Sequence, residues 1–251
     1  MSGHSKWSQI KRKKEATDAK KGQAFTRVAR EITIAARAGG GDPNANFALR
    51  LAIEKARAVN MPKENIERAI KRGTGELKGE VIEEITYEGY GPHGIALLVQ
   101  VVTDNRNRAV SEIRRLFNRH GGTLGSSGSV AWLFDQKGVI IVAPDGRDPE
   151  ELGLLAIEAG ADDITIDDAV VEVYTDPASF PRVRQALEAN NIRPDNAEVA
   201  LVPKSRVSLS PEDTLQVMKL IESLEELDDV ARVYSNLEVS EEAVARYETA
   251  A

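Results

Sequence analysis

Apolar residues in the first third of the chain recur with the spacing of an α-helix. After residue 22 they fall at i, i+3, i+4, i+7, i+10 and i+11, which predicts one buried helix face. These positions are Phe25, Val28, Ala29, Ile32, Ala35 and Ala36. The sequence GGGDP (39–43) ends this helix, because glycine favours the left-handed turn and proline cannot continue a helix. Two further helices, near 46–59 and 62–72, complete a predicted helical domain over residues 22–78.

From residue 81 the pattern becomes one of strands alternating with helices. EEITYEGYG and GIALLVQVVTD predict two strands, NRNRAVSEIRRLFNRHGG predicts a helix, and SVAWLFDQ and KGVIIVAP predict two more strands. Residues 138–203 then follow the order βαββαβ of a ferredoxin-like unit. The residues after 203 are too few to bury a core of their own, which disfavours three domains in a row.

The predicted fold class is α+β multidomain, with an N-terminal helical domain followed by two ferredoxin-like α+β domains, one inserted in the other. Residues 79–136 plus 204–240 form one α+β domain. Residues 137–203 form the inserted domain. Residues 241–251 are predicted to be a C-terminal helix or tail.

Residues 1–21 show neither period and are predicted to be a basic flexible arm. Within them, GHSKWSQIKRKK (3–14) places Trp7 among Lys and Arg side chains. No apolar run follows the positive charges, so no secretory signal is predicted. Such a segment is either a solvated tail or one that becomes ordered on a polyanion.

Composition and charge narrow the classes of function. The 251 residues include no cysteine, which excludes disulfides, thiolate nucleophiles and cysteine-based zinc sites and fits a cytoplasmic protein. No apolar stretch is long enough to span a bilayer, so no membrane partner is predicted. Residues 1–78 hold 18 Lys and Arg against 8 Asp and Glu, a formal charge of +10. Residues 79–251 hold 15 Lys and Arg against 32 Asp and Glu, a formal charge of −17. This asymmetry favours a nucleic-acid partner at the basic end.

Three groups of basic side chains are the predicted phosphate contacts. At 100° per residue, the arginines of the first helix fall opposite its apolar face and are expected in solvent. Each group alone is more often a solvated surface, but together on an acidic chain they favour phosphate binding. Trp7 is predicted to stack on an unpaired base, with docking of the arm onto the protein as the alternative. The residues of these groups are Lys6, Trp7, Lys11, Arg12, Lys13, Lys14, Lys20, Lys21, Arg27, Arg30, Arg37, Arg68, Lys71 and Arg72.

A further candidate is TDNRNR (103–108), which ends a strand and begins a helix. Asp104 or Asn105 is expected to cap that helix. Arg106 and Arg108 then lie at a helix N-terminus, where cations are mildly unfavourable, so their placement hints at an anionic partner.

Signals for catalysis are weak, so the chain is predicted not to be an enzyme, with no catalytic residues, cofactor or metal. The three histidines lie in separate regions without metal-ligand spacing, and His120 is expected to stabilise a helix C-terminus. The pairs Asp162-Asp163 and Asp167-Asp168 suit turns better than a metal site. GGTLGSSGS (121–129) lacks the lysine of a phosphate-binding loop. A magnesium-dependent phosphate-chemistry enzyme is the remote alternative.

Several motifs in chain order resemble the YebC family of probable transcriptional regulators, which includes mitochondrial translational activators of cytochrome oxidase. They are GHSKW (3–7), AGGGDPNAN (38–46), MPKENIERAIKRGTG (61–75), YEGYGPHG (87–94), TDNRNR (103–108), HGGTLGSSGSVAWLF (120–134) and LDDVARVYSN (227–236). The resemblance implies three domains around a cleft and a cytoplasmic, non-enzymatic, nucleic-acid-binding protein whose contacts include GHSKW and the basic side chains of the helical domain. His93 departs from the family pattern, which usually has glycine there.

The leading functional hypothesis is a DNA-binding transcriptional regulator whose acidic α+β domains contact other proteins. The alternative is an RNA- or ribosome-binding translational activator or translation factor. No helix shows a clear set of base-reading Asn, Gln and Arg in the sequence, which favours structured RNA. DNA stands first because of how bacterial members of the family are described.

Overall fold

The first unit of the fold is a bundle of three helices. The computed structural model describes residues 18–77, 82–166 and 170–250. The helices are α1 (Asp18–Gly39), α2 (Phe47–Ala58) and α3 (Lys63–Gly73). Ile32, Leu49 and Ile66 are among the side chains that form their common core. A Cβ atom on Gly73 would lie 2.4 Å from the carbonyl oxygen of Thr33, so glycine is what allows α3 to approach α1 so closely.

Helix α1 begins earlier than the sequence pattern predicts. Its first residue is Asp18, so the last four residues of the predicted arm belong to the helix. Alanine and lysine favour helix by intrinsic propensity, without any apolar spacing, so the spacing of apolar residues did not predict these turns. The rest of the predicted arm, residues 1–17, lies outside the described residues.

The described part of the chain after residue 82 contains ten strands and five helices. The strands are β1 (Glu83–Tyr90), β2 (Ala96–Thr103), β3 (Thr123–Leu124), β4 (Phe134–Val142), β5 (Asp163–Ile166), β6 (Val171–Thr175), β7 (Asn196–Pro203), β8 (Val207–Ser208), β9 (Val230–Ser235) and β10 (Leu237–Glu238). The helices are α4 (Arg106–Arg119), α5 (Pro149–Glu158), α6 (Phe180–Ala189), α7 (Pro211–Glu225) and α8 (Glu241–Ala250).

Two antiparallel sheets form the centre of the molecule. Their strand orders are β3-β1-β2-β9 and β5-β6-β4-β7. Alternate residues of β2 serve two cores: Leu97 and Val99 pack under α4 and α7, whereas Ala96 and Leu98 face the second sheet. Helices α5 and α6 cover the far side of that second sheet. The sheets therefore pack face to face with helices outside, and the predicted fold class is confirmed.

One predicted pair of strands is a single element. The segments SVAWLFDQ and KGVIIVAP contribute to one nine-residue strand, β4, preceded by a short 3-10 turn at Ala131–Leu133. The predicted domain boundary between residues 136 and 137 falls inside this strand. Gly138, near the predicted boundary between the two strands, does not interrupt β4. A Cβ there would lie 2.6 Å from the Phe180 ring, so glycine is needed for close packing.

Aromatic packing docks the helical domain on the inserted domain. The ring of Phe47, at the start of α2, meets the ring of Phe180 edge to face with centroids 5.7 Å apart. Leu51, one turn later, packs against the same core. Among the described residues, no helix is both long enough and apolar enough to cross a membrane.

Candidate nucleic-acid interface

The basic residues of the N-terminal segment fall in two places. Lys6, Trp7, Lys11, Arg12, Lys13 and Lys14 lie outside the described residues. Lys20 and Lys21 belong to the first turn of α1. All of them stay predicted nucleic-acid contacts.

All three predicted arginines of α1 donate hydrogen bonds to the α+β part of the chain, and two of them are half-buried. Arg27 donates to the carbonyl oxygen of Glu225, and Arg37 donates to that of Ile82. Arg30 donates to the carbonyl oxygen of Asp228 over 2.6 Å. The prediction of a solvent-facing position is therefore wrong for Arg27 and Arg30, which are half-buried because this side of α1 lies against a second domain, whereas Arg37 is exposed as predicted.

Asp229 is the centre of this junction. The residue is 4% exposed and lies just before β9, where its Oδ1 atom is 3.0 Å from Arg30 Nη1. From the other side, Arg108 Nη2 approaches Asp229 Oδ2 to 2.8 Å and Asp104 Oδ1 to 2.8 Å. The hydrogen bonds and the charge of Asp229 raise the pKa of the Arg108 guanidinium. A buried carboxylate needs such partners, and here two domains supply them.

Arg108 thus has its anionic partner within the protein. The sequence analysis predicted an external anion for this arginine, and the structure corrects that prediction. The partner was not visible in the local sequence, because Asp229 lies 121 residues further along the chain. Asn105 caps the helix as expected, accepting a hydrogen bond from the Arg108 backbone N–H over 3.0 Å. Arg106 is exposed, and its side chain has no hydrogen bond or ion pair with any described residue.

A second charged cluster joins all three domains. Arg232 of β9 lies 2.8 Å from Glu198 of β7 and 3.8 Å from Glu31 of α1. Lys55 of α2 bridges the same two carboxylates at 3.3 and 3.4 Å. Burial disfavours the charged form of Arg232, but the combined effect of Glu198, Tyr234 and Glu31 outweighs it and raises the guanidinium pKa. Sequence gave no signal for this cluster, since its members come from four separate elements.

The predicted group at the end of α3 remains on the surface. Arg68, Lys71 and Arg72 are exposed, and their side chains make no hydrogen bond or ion pair with a described residue. Arg72 also lines a cleft of about 500 Å³ between the helical domain and the first sheet, together with Thr26 and Asp104. These three cations are free to meet an external phosphate.

The glycine-rich loop after α4 binds an anion of the protein itself. The Glu88 carboxylate accepts hydrogen bonds from the backbone N–H groups of Gly128 at 2.6 Å, Val130 at 2.9 Å and Ala131 at 2.8 Å. Glu88 is only 7% exposed. Burial alone would raise the pKa of Glu88, but these three donors outweigh it, and the pKa lies below its ordinary value. The loop donors are therefore occupied by an internal carboxylate.

Two exposed aromatic side chains, from the end of β1 and from the 3-10 turn, lie beside this loop. Trp132 is 64% exposed and Tyr90 is 41% exposed. The Trp132 indole N–H and the Tyr90 hydroxyl both donate to the carbonyl oxygen of Ser129, each over 3.1 Å. Trp132 was not among the predicted nucleic-acid contacts. Its position just after a glycine-rich segment could have indicated an exposed aromatic side chain.

The residues considered for catalysis are spread over the fold. Among the described residues, no group of three or more His, Asp or Glu side chains is arranged to hold a metal ion. Asp162 pairs with Lys137 at 2.6 Å, and Asp167 and Asp168 lie outside the described residues. His120 follows the last residue of α4 beside Ser223, and burial together with Arg119 and Lys219 lowers its pKa.

Two family models match nearly the whole chain. The TACO1/YebC N-terminal domain matches residues 5–76, and the TACO1/YebC second and third domain matches residues 82–237. A probable transcriptional regulatory protein of Thermoanaerobacter pseudethanolicus is 54% identical over 96% of this chain and 99% of its own length. A probable transcriptional regulatory protein of Herpetosiphon aurantiacus is 53% identical over 98% of this chain and 98% of its own length.

A solved structure agrees with the fold. The crystal structure of a conserved hypothetical protein from Aquifex aeolicus superposes with a TM-score of 0.81 at 47% identity, covering 89% of this chain and 93% of that one. The two family models together, and each of the two relatives, cover more than nine tenths of the chain. The chain belongs to the TACO1/YebC family.

Proposed function

We propose that the chain is a non-enzymatic regulator of transcription that binds DNA through its N-terminal segment and the exposed end of α3. The observation that carries this proposal is the formal charge of +10 on residues 1–78, of which Arg68, Lys71 and Arg72 have no partner among the described residues. The names of the relatives, probable transcriptional regulatory proteins, support it. Phosphate contacts by Lys and Arg supply most of the affinity of such proteins for DNA.

The junctions described above give the helical domain a fixed orientation. Arg30 and Lys55 tie it to partners in both α+β domains. The α+β domains carry a net negative charge, so a duplex is expected to contact only those surfaces of the chain that are locally basic. The arginines buried in the junctions thus contribute by holding α3 in place.

The test is the salt dependence of binding to a duplex DNA of mixed sequence. Combining Arg68→Gln, Lys71→Gln and Arg72→Gln is expected to reduce the slope of log K against log salt by about 3, roughly one for each phosphate contact. The matched control combines Arg147→Gln, Arg182→Gln and Arg193→Gln, three exposed arginines of the inserted domain with the same total charge. Equal slopes for the two triple variants would contradict the proposal for α3, and deletion of residues 1–17 tests the segment separately.

A second candidate, an RNA-binding translation factor, is favoured by the Trp132 and Tyr90 pair. Both rings are exposed and held by one carbonyl group, and exposed aromatic side chains stack on unpaired bases with about 1–3 kcal/mol each. Trp132→Ala is then expected to weaken binding to single-stranded RNA and to purified ribosomes by about 5- to 100-fold, with duplex DNA unaffected. Leu154→Ala is the control, because Leu154 is 63% exposed and apolar. Equal losses for the two variants would exclude stacking by Trp132.

A further inference from the structure

Helix α4 presents a polar stripe to solvent that the predicted sites do not include. Its buried residues are Ala109, Ile113, Leu116 and Phe117, on the side toward the sheet. On the opposite side, Asn107, Ser111, Arg114 and Asn118 are all exposed, at i, i+4, i+7 and i+11. At 100° per residue these four lie within about 60° of one another around the helix axis. The stripe became recognisable only once the buried side of α4 was known.

The stripe is flanked by arginines without internal partners. Arg115 and Arg119 lie beside the stripe, are exposed, and form no hydrogen bond or ion pair through their side chains with a described residue. Arg106, the first residue of the helix, lies away from the stripe and is also exposed. Arg114, within the stripe, is likewise unpaired among the described residues. Lys219 of α7 adds a further positive charge near the end of the helix, where burial, Arg119 and Lys219 together lower the pKa of His120.

A merely solvated helix would carry a different charge pattern. Surface helices commonly interleave acids and bases that pair at i and i+4, as Lys63 and Glu67 do on α3. Helix α4 holds five arginines and one acid, Glu112, which is half-buried on the flank of the helix. This excess of positive charge lies within a region of the chain whose formal charge is −17. Repulsion among unpaired arginines is relieved when a polyanion binds.

The solvent side of α4 is also sterically open. The helix packs on β1, β2, β3 and α7, all within its own α+β domain and all on its apolar side. The Ser111 hydroxyl donates to the Asn107 carbonyl oxygen over 2.8 Å, and its oxygen stays available as an acceptor. Neither α2 nor α3 covers the stripe, so a ligand as wide as a nucleic acid duplex has access to it.

We infer that α4 lies in the major groove of duplex DNA, with the stripe toward the base edges and the flanking arginines on phosphates. The major groove, about 12 Å wide, admits an α-helix, and Asn and Arg are the side chains that bind adenine and guanine edges bidentately. From its first to its last residue the stripe spans about 16 Å, close to five base pairs. This inference rests on the proposed DNA-binding function and adds a second contact surface, on a different domain from α3.

The arginines are tested by salt dependence. The combined variant Arg114→Gln, Arg115→Gln and Arg119→Gln is expected to bind a mixed-sequence duplex about 100-fold more weakly at physiological salt, with the slope of log K against log salt reduced by about 2–3. The control is again Arg147→Gln, Arg182→Gln and Arg193→Gln. Both triple variants are expected to melt at the wild-type temperature, because every substituted side chain is exposed.

The asparagines are tested by base preference. Wild-type protein is used to enrich sequences from a pool of duplexes with a randomised centre, and Asn107→Ala combined with Asn118→Ala is compared on the same pool. The asparagine variant is expected to keep the salt slope but to lose at least one enriched position, since asparagine contacts bases rather than phosphates here. A lowered slope without any enriched position in the wild type would overturn the groove assignment.

The outcomes separate this inference from the proposed function. If the α4 variant binds like the control while the α3 variant binds weakly, the α4 inference is wrong and the proposed function stands. If the α4 variant is weak and the α3 variant normal, the assignment of α3 as a DNA contact fails instead, and the deletion of residues 1–17 decides the N-terminal segment. Failure of wild-type protein to bind duplex DNA overturns both, and a stronger loss on structured RNA than on duplex DNA overturns the choice of DNA as the α4 ligand.

Discussion

Helices α1 and α4 have the same amphipathic design and opposite surroundings. Each buries one apolar face in its own domain and carries arginines on the other side. In α1, Arg27 and Arg30 meet carbonyl and carboxylate oxygens of another domain. In α4, Arg114 and Arg115 face water and have no hydrogen bond or ion pair within the described part of the chain. Amphipathic spacing thus identifies the side of a helix that faces its own core, and is silent on what covers the other side.

The difference comes from where carboxylates are buried. Asp229 is nearly inaccessible to water, and a buried charge without partners costs several kcal/mol. The protein supplies Arg30 and Arg108, and those guanidinium groups form the junction with Asp229. Among the described residues, no acid pairs with Arg114, Arg115 or Arg119 of α4, and these three arginines stay available. Four predictions test this division.

Asp229→Ala is expected to have the largest effect, lowering the free energy of unfolding by about 3 kcal/mol. The substitution leaves Arg30 and Arg108 without their carboxylate, although Arg108 is 44% exposed and regains some hydration. Urea denaturation measures the loss. Asp228→Asn, one residue earlier and exposed, is the control and is expected to change stability by less than about 0.5 kcal/mol. Similar losses for both would show that the junction is not what stabilises this region.

Glu88→Gln is expected to cost about 1–3 kcal/mol, because an uncharged amide cannot accept three backbone N–H donors equally well. The folded pKa of Glu88 is lowered, so the stability it contributes is present above the ordinary carboxyl pKa of 4.5 and is lost as pH falls through the folded value. Unfolding free energy measured against pH should therefore fall less steeply below about pH 4.5 in the variant. Glu84→Gln, an exposed change on the same strand, should keep the wild-type profile.

Arg30→Gln against Arg115→Gln tests the comparison of the two helices directly. Arg30 is 18% exposed and makes charged hydrogen bonds, so its loss is expected to cost about 1–2 kcal/mol. Arg115→Gln is expected to stay within about 0.5 kcal/mol in urea denaturation. Equal costs would mean that the arginines of α1 are as dispensable for stability as those of α4.

His93→Gly is expected to have the smallest effect, a gain of up to about 1 kcal/mol. His93 has a φ of 59°, a left-handed conformation that costs a residue with a Cβ more than it costs glycine. Its contacts with Gln216 at 3.2 Å and Asp213 at 3.4 Å are partly exposed and contribute little. Thermal unfolding of His93→Ala separates the two effects, since alanine removes the contacts but keeps the strain. A loss on His93→Gly would show that the contacts outweigh the strain.

The spacing of apolar residues, the order of the elements and the distribution of charge determined the main features of the fold from the sequence alone. The period of apolar residues identified the three helices around Ile32, Leu49 and Ile66, because each helix buries a stripe in its own core. The order of helices and strands indicated an inserted α+β domain, since strand order and connection rules allow few alternatives. The uneven charge and the motifs from GHSKW to LDDVARVYSN indicated the family and the class of partner.

Only the tertiary structure decided which polar groups are already satisfied. Arg30 and Asp229 are about 200 residues apart in the chain, and Glu88 is 40 residues from Gly128, so no local spacing relates them. Gly138 resembles a turn in sequence and proves to be a place where Phe180 packs against a strand. Whether an arginine binds a partner outside the protein depends on the electrostatic field and the degree of burial at its guanidinium group. Those are set by residues distant in sequence, which folding brings within about 3 Å of it.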